Sequence, residues 1–395
     1  MASTSRLFSL KDKALSLDSK EDIEALLSGV DLAAVEEVDL SGNTIGVGAA
    51  EALGDAFRKM SSLKIANLSN IFTRRLDTEI PFALIAICDA LKDATNLIEL
   101  DLSSNAFGDR FVGPLVPLLS QNQSIQILRL MNNGIGAAGG RIIAGALLES
   151  ARMSKAAGKP SNLRVVICSR NRLEDGSASI WAEAFAAHGN LLEVRMANCG
   201  IRQEGLTSII RGLATSVQLR HLDLADNVGR DVEEATEEHG WTALADTIAA
   251  WRELETLNLS DCDLNEAGLT PILERLGNGI FVKLHTLQLV NNGIEDSQYE
   301  ALFDLATSHL PALKRLELWW NDIDSDDPSI QAIARVLKNR GGRLFLIDPD
   351  EEEAEEEEIE HVEEKAEEEE EREEEKEEEE TDLSTQMAHL GVSSP

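Results

Sequence analysis

The chain has little of what self-contained chemistry requires. Its 395 residues include only four cysteines, Cys88, Cys168, Cys199 and Cys262, spread far apart with no CxxC pair. That spacing excludes both a zinc knuckle and a disulfide framework, and reads as a reduced, cytosolic chain. The seven histidines form no HExxH and keep no metal-ligand spacing with cysteine, so no metal is expected. There is no GxxxxGK[ST] loop, and the GKP at Gly158 to Pro160 lacks the upstream glycine. Basic residues are scarce: 36 Lys and Arg stand against 72 Asp and Glu, a net charge of −36. A chain so acidic gains no counterion-release term on a phosphate backbone, which argues against nucleic acid and anionic membrane as partners. No apolar run approaches the ~18 residues of a membrane span, and the start, MASTSRLFSLKDKALSLD, has no long apolar stretch, so neither secretion nor membrane insertion is supported.

What the chain has is a repeat. An eleven-residue frame, apolar-x-x-apolar-x-apolar-x-x-Asn-x-apolar, begins at Val35, Leu63, Leu97, Ile125, Leu163, Leu191, Leu219, Leu254, Leu284 and Leu313, ten copies spaced 28 to 38 residues apart. Such fixed offsets specify an α/β leucine-rich-repeat solenoid, a horseshoe of the long, ribonuclease-inhibitor-like type with a concave parallel sheet and convex helices. Length then counts repeats rather than domains. We expect one repeat domain over 1–347 and a disordered acidic tail over 348–395. From Asp348 to Asp382 the tail holds 25 acidic residues against three basic ones, and such a run repels itself without offering an apolar face. Truncation after Ile347 is expected to leave the fold intact and to slow capture of a basic partner at low salt.

Within the frame, as in LIELDLSSNAF, alternation buries Leu97, Leu100 and Leu102 and turns Glu99 and Asp101 outward from a short strand. The equivalent outward pair in the first copy is Glu37 and Asp39, so carboxylates gather in the first and third copies, where they suit a basic protein surface. The frame asparagine, Asn43, Asn105, Asn133, Asn171, Asn227, Asn292 or Asn321, is a compact side chain able to satisfy backbone groups in a turn buried between repeats. Cys199 and Cys262 hold the same slot, which accounts for them without redox chemistry. Only the second copy breaks the rule, with Ile71. After each turn comes a stretch such as VGAAEALGDAFRKM with helical spacing of apolar residues. The long spacings mark insertions at about Ser69 to Pro81, Glu149 to Asn162 and Val228 to Gly240, and rim loops of this kind are candidates for partner contacts.

GIGAAG, Gly134 to Gly139, fits the dinucleotide fingerprint GxGxxG. Gly136 nevertheless keeps the repeat register of Gly46 and Gly108, and the chain returns to the next frame instead of forming a βαβ unit. No cofactor is expected.

Five segments, LSGNTIG (Leu40 to Gly46), IFTRRLDTEIP (Ile71 to Pro81), SSNAFG (Ser103 to Gly108), NNGIG (Asn132 to Gly136) and CSRNRLEDGS (Cys168 to Ser177), closely resemble the fungal Ran GTPase-activating proteins, the RanGAP family. IFTRRLDTEIP is the specific one, because it breaks the repeat where the family breaks it. The resemblance implies a protein that binds the small GTPase Ran in its GTP form and accelerates hydrolysis in nucleocytoplasmic transport. It would act in the cytoplasm or at the nuclear periphery, as a monomer, with or without an accessory Ran-binding protein. It would be an activator rather than an enzyme, since the GTPase brings the nucleotide pocket, magnesium and the water-positioning glutamine. The family's loop arginine falls on Arg75. The preceding position, commonly glycine in the family, is Arg74 here, so the pair leaves two candidates for the functional arginine. The family's asparagine falls on Asn132 or Asn133, and Asn132 is the choice because Asn133 holds the inward slot. Ser104, Arg170 and Asp226 share the register of Asn132 and join it as a contact row. On this reading Arg75 anchors the complex without acting as a finger, and Asn132 tunes the catalytic glutamine. Two other classes remain open: a pure leucine-rich-repeat binding module like the ribonuclease inhibitor, and an acidic chaperone-like protein.

Overall fold

A computed structural model describes residues 6–227, 239–349 and 351. The acidic run beyond these and residues 228–238 of the insertion expected at Val228 to Gly240 lie outside the described residues. The chain divides into two compact units, Met1–Leu344 and Phe345–Pro395, and the repeats occupy the first.

Each frame folds as expected into a three-residue strand, a turn and a helix, which makes the unit an α/β leucine-rich-repeat solenoid. The strands form one twelve-stranded parallel sheet in sequence order. Register is strict: Glu37 pairs with Ile65, Ile65 with Glu99, Glu99 with Ile127 and Ile127 with Val165. The central residue of each inner strand, such as Val38, Leu100, Leu128 or Val166, is buried, while Phe8 and Leu344 in the two edge strands are half-buried. Strict alternation over three residues therefore leaves the first and third positions of every strand on one open face.

Stacking strands in parallel leaves the turn after each strand enclosed, and the asparagine ladder satisfies it. Asn133 Nδ2 donates to the carbonyls of Leu102 and Leu130 at 3.0 Å each, and its Oδ1 accepts the Asn105 amide at 2.7 Å. Asn171 repeats the pattern one copy on. In the cysteine copies Sγ donates in the same way, to the Cys168 carbonyl from Cys199 and to the Leu224 carbonyl from Cys262. Burial pushes the Cys199 thiol up to about 12, so the thiol stays protonated at neutral pH.

The helices follow from a 3.6-residue apolar period. In Gln203–Leu213 the residues Leu206, Ile209, Ile210 and Leu213 are buried while Glu204 and Arg211 face solvent. Gly212 sits on the packed side, where a Cβ would come within 2.5 Å of the Ala182 carbonyl of the preceding helix. The insertion expected at Glu149 to Asn162 is for the most part not a loop. Helix Gly136–Ala156 runs through its first half, because Leu147, Leu148, Ala151 and Ser154 continue the buried stripe.

The far end of the next helix, Glu174–His188, carries a buried histidine whose Nδ1 lies 2.6 Å from Ser161 Oγ. Burial lowers its pKa from 6.5 to about 4. Between those values the unfolded chain binds a proton that the fold excludes, so stability is fully present above pH 6.5 and is lost as pH falls toward 4. The linkage amounts to about 3 kcal/mol at most. Urea titrations at pH 7 and pH 4.5 should show a smaller difference for His188→Gln than for the parent chain. An equal difference would assign the acid sensitivity elsewhere.

Candidate functional site

The loops that leave the strand ends form a rim. The residue just before the ladder position is left-handed in successive copies: Asn70 (φ 52°), Ser104 (59°), Asn132 (56°), Arg170 (60°), Asn198 (51°) and Asp226 (52°). The cause is the turn itself, which must swing the ladder side chain inward while the residue before it donates its amide to the next repeat. Asn132 donates to the Ser169 carbonyl at 3.0 Å and Arg170 to the Ala197 carbonyl at 2.8 Å. This geometry drives the side chains of the row outward. Asparagine and aspartate tolerate it; Ser104 and Arg170 adopt it against a preference of roughly 1–2 kcal/mol. Gly42, Asp261, Asn291 and Trp320 take the same conformation in the remaining copies, so it is a property of the repeat that sets where the row points.

Asn132 and Asn133 separate as the register requires. Asn133 is fully buried in the ladder, whereas Asn132 is exposed and makes one long contact, Nδ2 to Ser104 Oγ at 3.4 Å. Arg170 is exposed and forms no ion pair among the described residues, and Asp226 is joined to Asn198 by a hydrogen bond. Asn198 belongs to this row although sequence reasoning passed over it. The register alone could have found it, since Cys199 holds the ladder slot of that copy and Asn198 stands one position before it.

The arginine loop begins where the second copy puts Ile71 in the asparagine slot. Ile71 is buried, and its amide is taken by Asn105 Oδ1 at 2.8 Å, so the ladder continues from the next repeat. Phe72 then bridges antiparallel to Thr44, and Thr44 Oγ1 donates to the Thr73 carbonyl at 2.7 Å. The two arginines diverge. Arg75 turns inward with its side chain 9% exposed. Its Nε donates to Thr44 Oγ1 at 2.9 Å and its Nη2 to the carbonyls of Leu17 at 3.2 Å and Thr44 at 3.1 Å, while Nη1 pairs with Asp18. Arg74 has φ 66° and is exposed, beside a recess of about 200 Å³ lined by Ala14, Gly42, Asn43, Thr44, Asn70 and Thr73. Helix Ile80–Leu91 starts with Pro81 in its first turn and ends the loop.

The carboxylates of the open face are largely engaged with their own neighbours. Asp39 Oδ1 accepts the Ser41 amide at 3.0 Å and Asp101 Oδ1 the Ser103 amide at 2.8 Å. Glu99 pairs with Arg129 at 2.8 Å, and Glu37 is half-buried on the same face. Farther along, burial pushes the Asp223 carboxyl up and the His221 imidazole down. Among the described residues no group of three or more His, Cys, Asp or Glu could hold a metal ion, and no helix is long and apolar enough to cross a membrane. The arrangement is one for docking: an exposed, ordered row of polar side chains on a stack of repeats, with an arginine loop that leaves the strand two copies before that of Asn132.

A family model described as Leucine Rich repeat matches residues 35–54, 93–110, 121–144 and 252–273. The chain is 34% identical over 340 residues to Ran GTPase-activating protein 1 of Saccharomyces cerevisiae, covering 83% of this chain and 81% of that one. It is 42% identical over 197 residues to Ran GTPase-activating protein 1 of Xenopus laevis, covering 49% of this chain and 34% of the frog protein. A weaker similarity, 25% over 256 residues, covers 57% of this chain and 51% of the ribonuclease inhibitor of Mus musculus.

Proposed function

The chain belongs to the Ran GTPase-activating protein family, a leucine-rich-repeat family, and we propose that its rim binds Ran in the GTP-loaded form and organises Ran's own catalytic groups. Its function is Ran GTPase activation. The finer reading is that the chain contributes no reacting group. Ran brings the nucleotide, the magnesium and the glutamine that orients the attacking water, and the activator restricts that glutamine to its productive geometry. A stack of hydrogen-bonded repeats is stiff enough to do so.

The observation that carries this reading is the exposed Asn132, held left-handed in a row with Ser104, Arg170 and Asp226. Its amide can both donate to and accept from a partner. Glu37, Asp39, Glu99 and Asp101 lie behind the first repeats of that row and give their face negative potential toward a basic surface. Arg75, already engaged, acts through the loop that it holds. The protein works in the cytoplasm or at the nuclear periphery, as a monomer, with an accessory Ran-binding protein as an optional further component.

The test is single-turnover hydrolysis of Ran·GTP with the purified chain in excess. Acceleration by about 10³-fold or more is the expected result. Tight binding of Ran·GTP without acceleration would instead favour a binding module of the ribonuclease-inhibitor kind, for which the similarity to the mouse inhibitor is the supporting observation.

A further inference from the structure

We propose that the two adjacent arginines divide the work: Arg75, with Asp18 and Thr44 as positioning residues, clamps the loop to the first repeat, and Arg74 meets an acidic side chain of the partner. The clamp stands on the free protein alone. The Arg74 half rests on the reading that the partner is Ran.

Arg75 uses every nitrogen of its guanidinium within the chain. The acceptors come from two places that the sequence separates widely: Leu17 and Asp18, 58 and 57 residues away, and Thr44, 31 residues away. Leu17 and Thr44 belong to a small parallel pair, Ser16–Leu17 with Thr44–Ile45, that lies outside the main sheet. The guanidinium thus cross-links that pair to the loop. Thr44 serves it twice, since the same Oγ1 accepts from Arg75 and donates to the Thr73 carbonyl. Gly46 completes the seat, because a Cβ there would stand 2.9 Å from Arg75 Nη1. The two segments LSGNTIG and IFTRRLDTEIP are therefore halves of one structural unit. A guanidinium so enclosed would have to give up four hydrogen bonds, one of them to a carboxylate, before reaching a partner.

Arg74 is its opposite. Its φ of 66° suits glycine, and a long side chain there gains nothing from the fold: no hydrogen bond or ion pair of Arg74 occurs among the described residues. It stands over an open recess on the same rim as Asn132, on a chain whose own surface is strongly acidic. A planar, permanently charged fork in that setting recognises a carboxylate.

Four variants test this: Arg75→Ala, Asp18→Asn, Thr44→Val and Arg74→Gly, together with the double variant Arg75→Ala/Thr44→Val. Amide exchange of residues 71–79 in the free protein reads the clamp. Single-turnover hydrolysis of Ran·GTP across protein and salt concentrations reads the contact. Asp18→Asn and Thr44→Val should speed exchange in the loop as Arg75→Ala does, and raise the half-saturating concentration about tenfold. The double variant should be no worse than Arg75→Ala, since groups in one network are not additive. Arg74→Gly should leave exchange in the loop no faster, raise the half-saturating concentration several-fold and flatten its salt dependence, with the saturating rate unchanged. Wild-type exchange in Asp18→Asn and Thr44→Val would overturn the clamp. An unchanged half-saturating concentration in Arg74→Gly, or a fall in its saturating rate, would overturn the carboxylate contact. Absence of acceleration by the parent chain would remove the Ran reading and leave the exchange result standing.

Discussion

Replacing Asn132 by alanine should lower the saturating single-turnover rate of Ran·GTP hydrolysis about a hundredfold, while the half-saturating concentration shifts only a few-fold. The side chain is exposed, unburdened except for a 3.4 Å contact to Ser104, and fixed at its root by the Asn132 amide on the Ser169 carbonyl. A contact of that kind adds little to a large interface but sets the geometry of whatever it touches. Misplacing a reacting group by about an ångström costs on the order of 10² in rate, or about 2.7 kcal/mol of barrier. Asn132→Gly controls for the backbone. Glycine accepts φ 56° without strain and removes the same amide, so it should show the same loss of rate. A loss in alanine but not in glycine would place the effect in the turn rather than in the side chain.

The other large effect concerns stability. Asn171→Ala should destabilise the repeat unit by about 4 kcal/mol, read as a lower urea midpoint with the activation of Ran intact below it. Asn171 is fully buried; Nδ2 donates to the carbonyls of Leu130 and Cys168 at 2.8 and 2.7 Å, and Oδ1 accepts the Asn133 amide at 2.9 Å. Alanine leaves at least three buried backbone groups unpaired, and each costs ~1–3 kcal/mol. Asn171→Cys should fall between, because Cys199 and Cys262 show that a thiol in this slot retains a donor but loses the amide's reach. A loss below about 1 kcal/mol for alanine would mean that water replaces the ladder.

Much of this molecule is legible in its sequence, and the reasons are local. The ladder position is readable because stacking forces one compact residue into the same enclosed turn in every copy, so that Asn133 and Asn132 are told apart by register alone. Ile71 is readable as an interruption for the same reason. What escapes is whatever depends on partners distant in the chain or on backbone angles. Nothing in Asp18 or Thr44 advertises an arginine 57 or 31 residues away. Ser104 and Arg170 carry no left-handed signature, so the row is visible as a register and not as a strained rim. Asp39 and Asp101 do carry a signal that alternation conceals: each precedes a serine by two positions, the pattern of an aspartate that caps its own turn. The residues after Glu149 extend a helix rather than form a loop, because the buried stripe of Leu147, Leu148 and Ala151 does not stop where the repeat spacing lengthens.

The central claim is that this chain accelerates hydrolysis by arranging Ran's own groups and inserts none of its own, and saturating single-turnover hydrolysis with Arg75→Ala addresses it most directly. With the guanidinium acting as a clamp, the variant should need a higher concentration and then reach a rate within about tenfold of the parent chain. A fall of more than about 10³-fold at saturation, with binding of Ran·GTP intact, is the signature of an arginine placed in the catalytic centre and would contradict it.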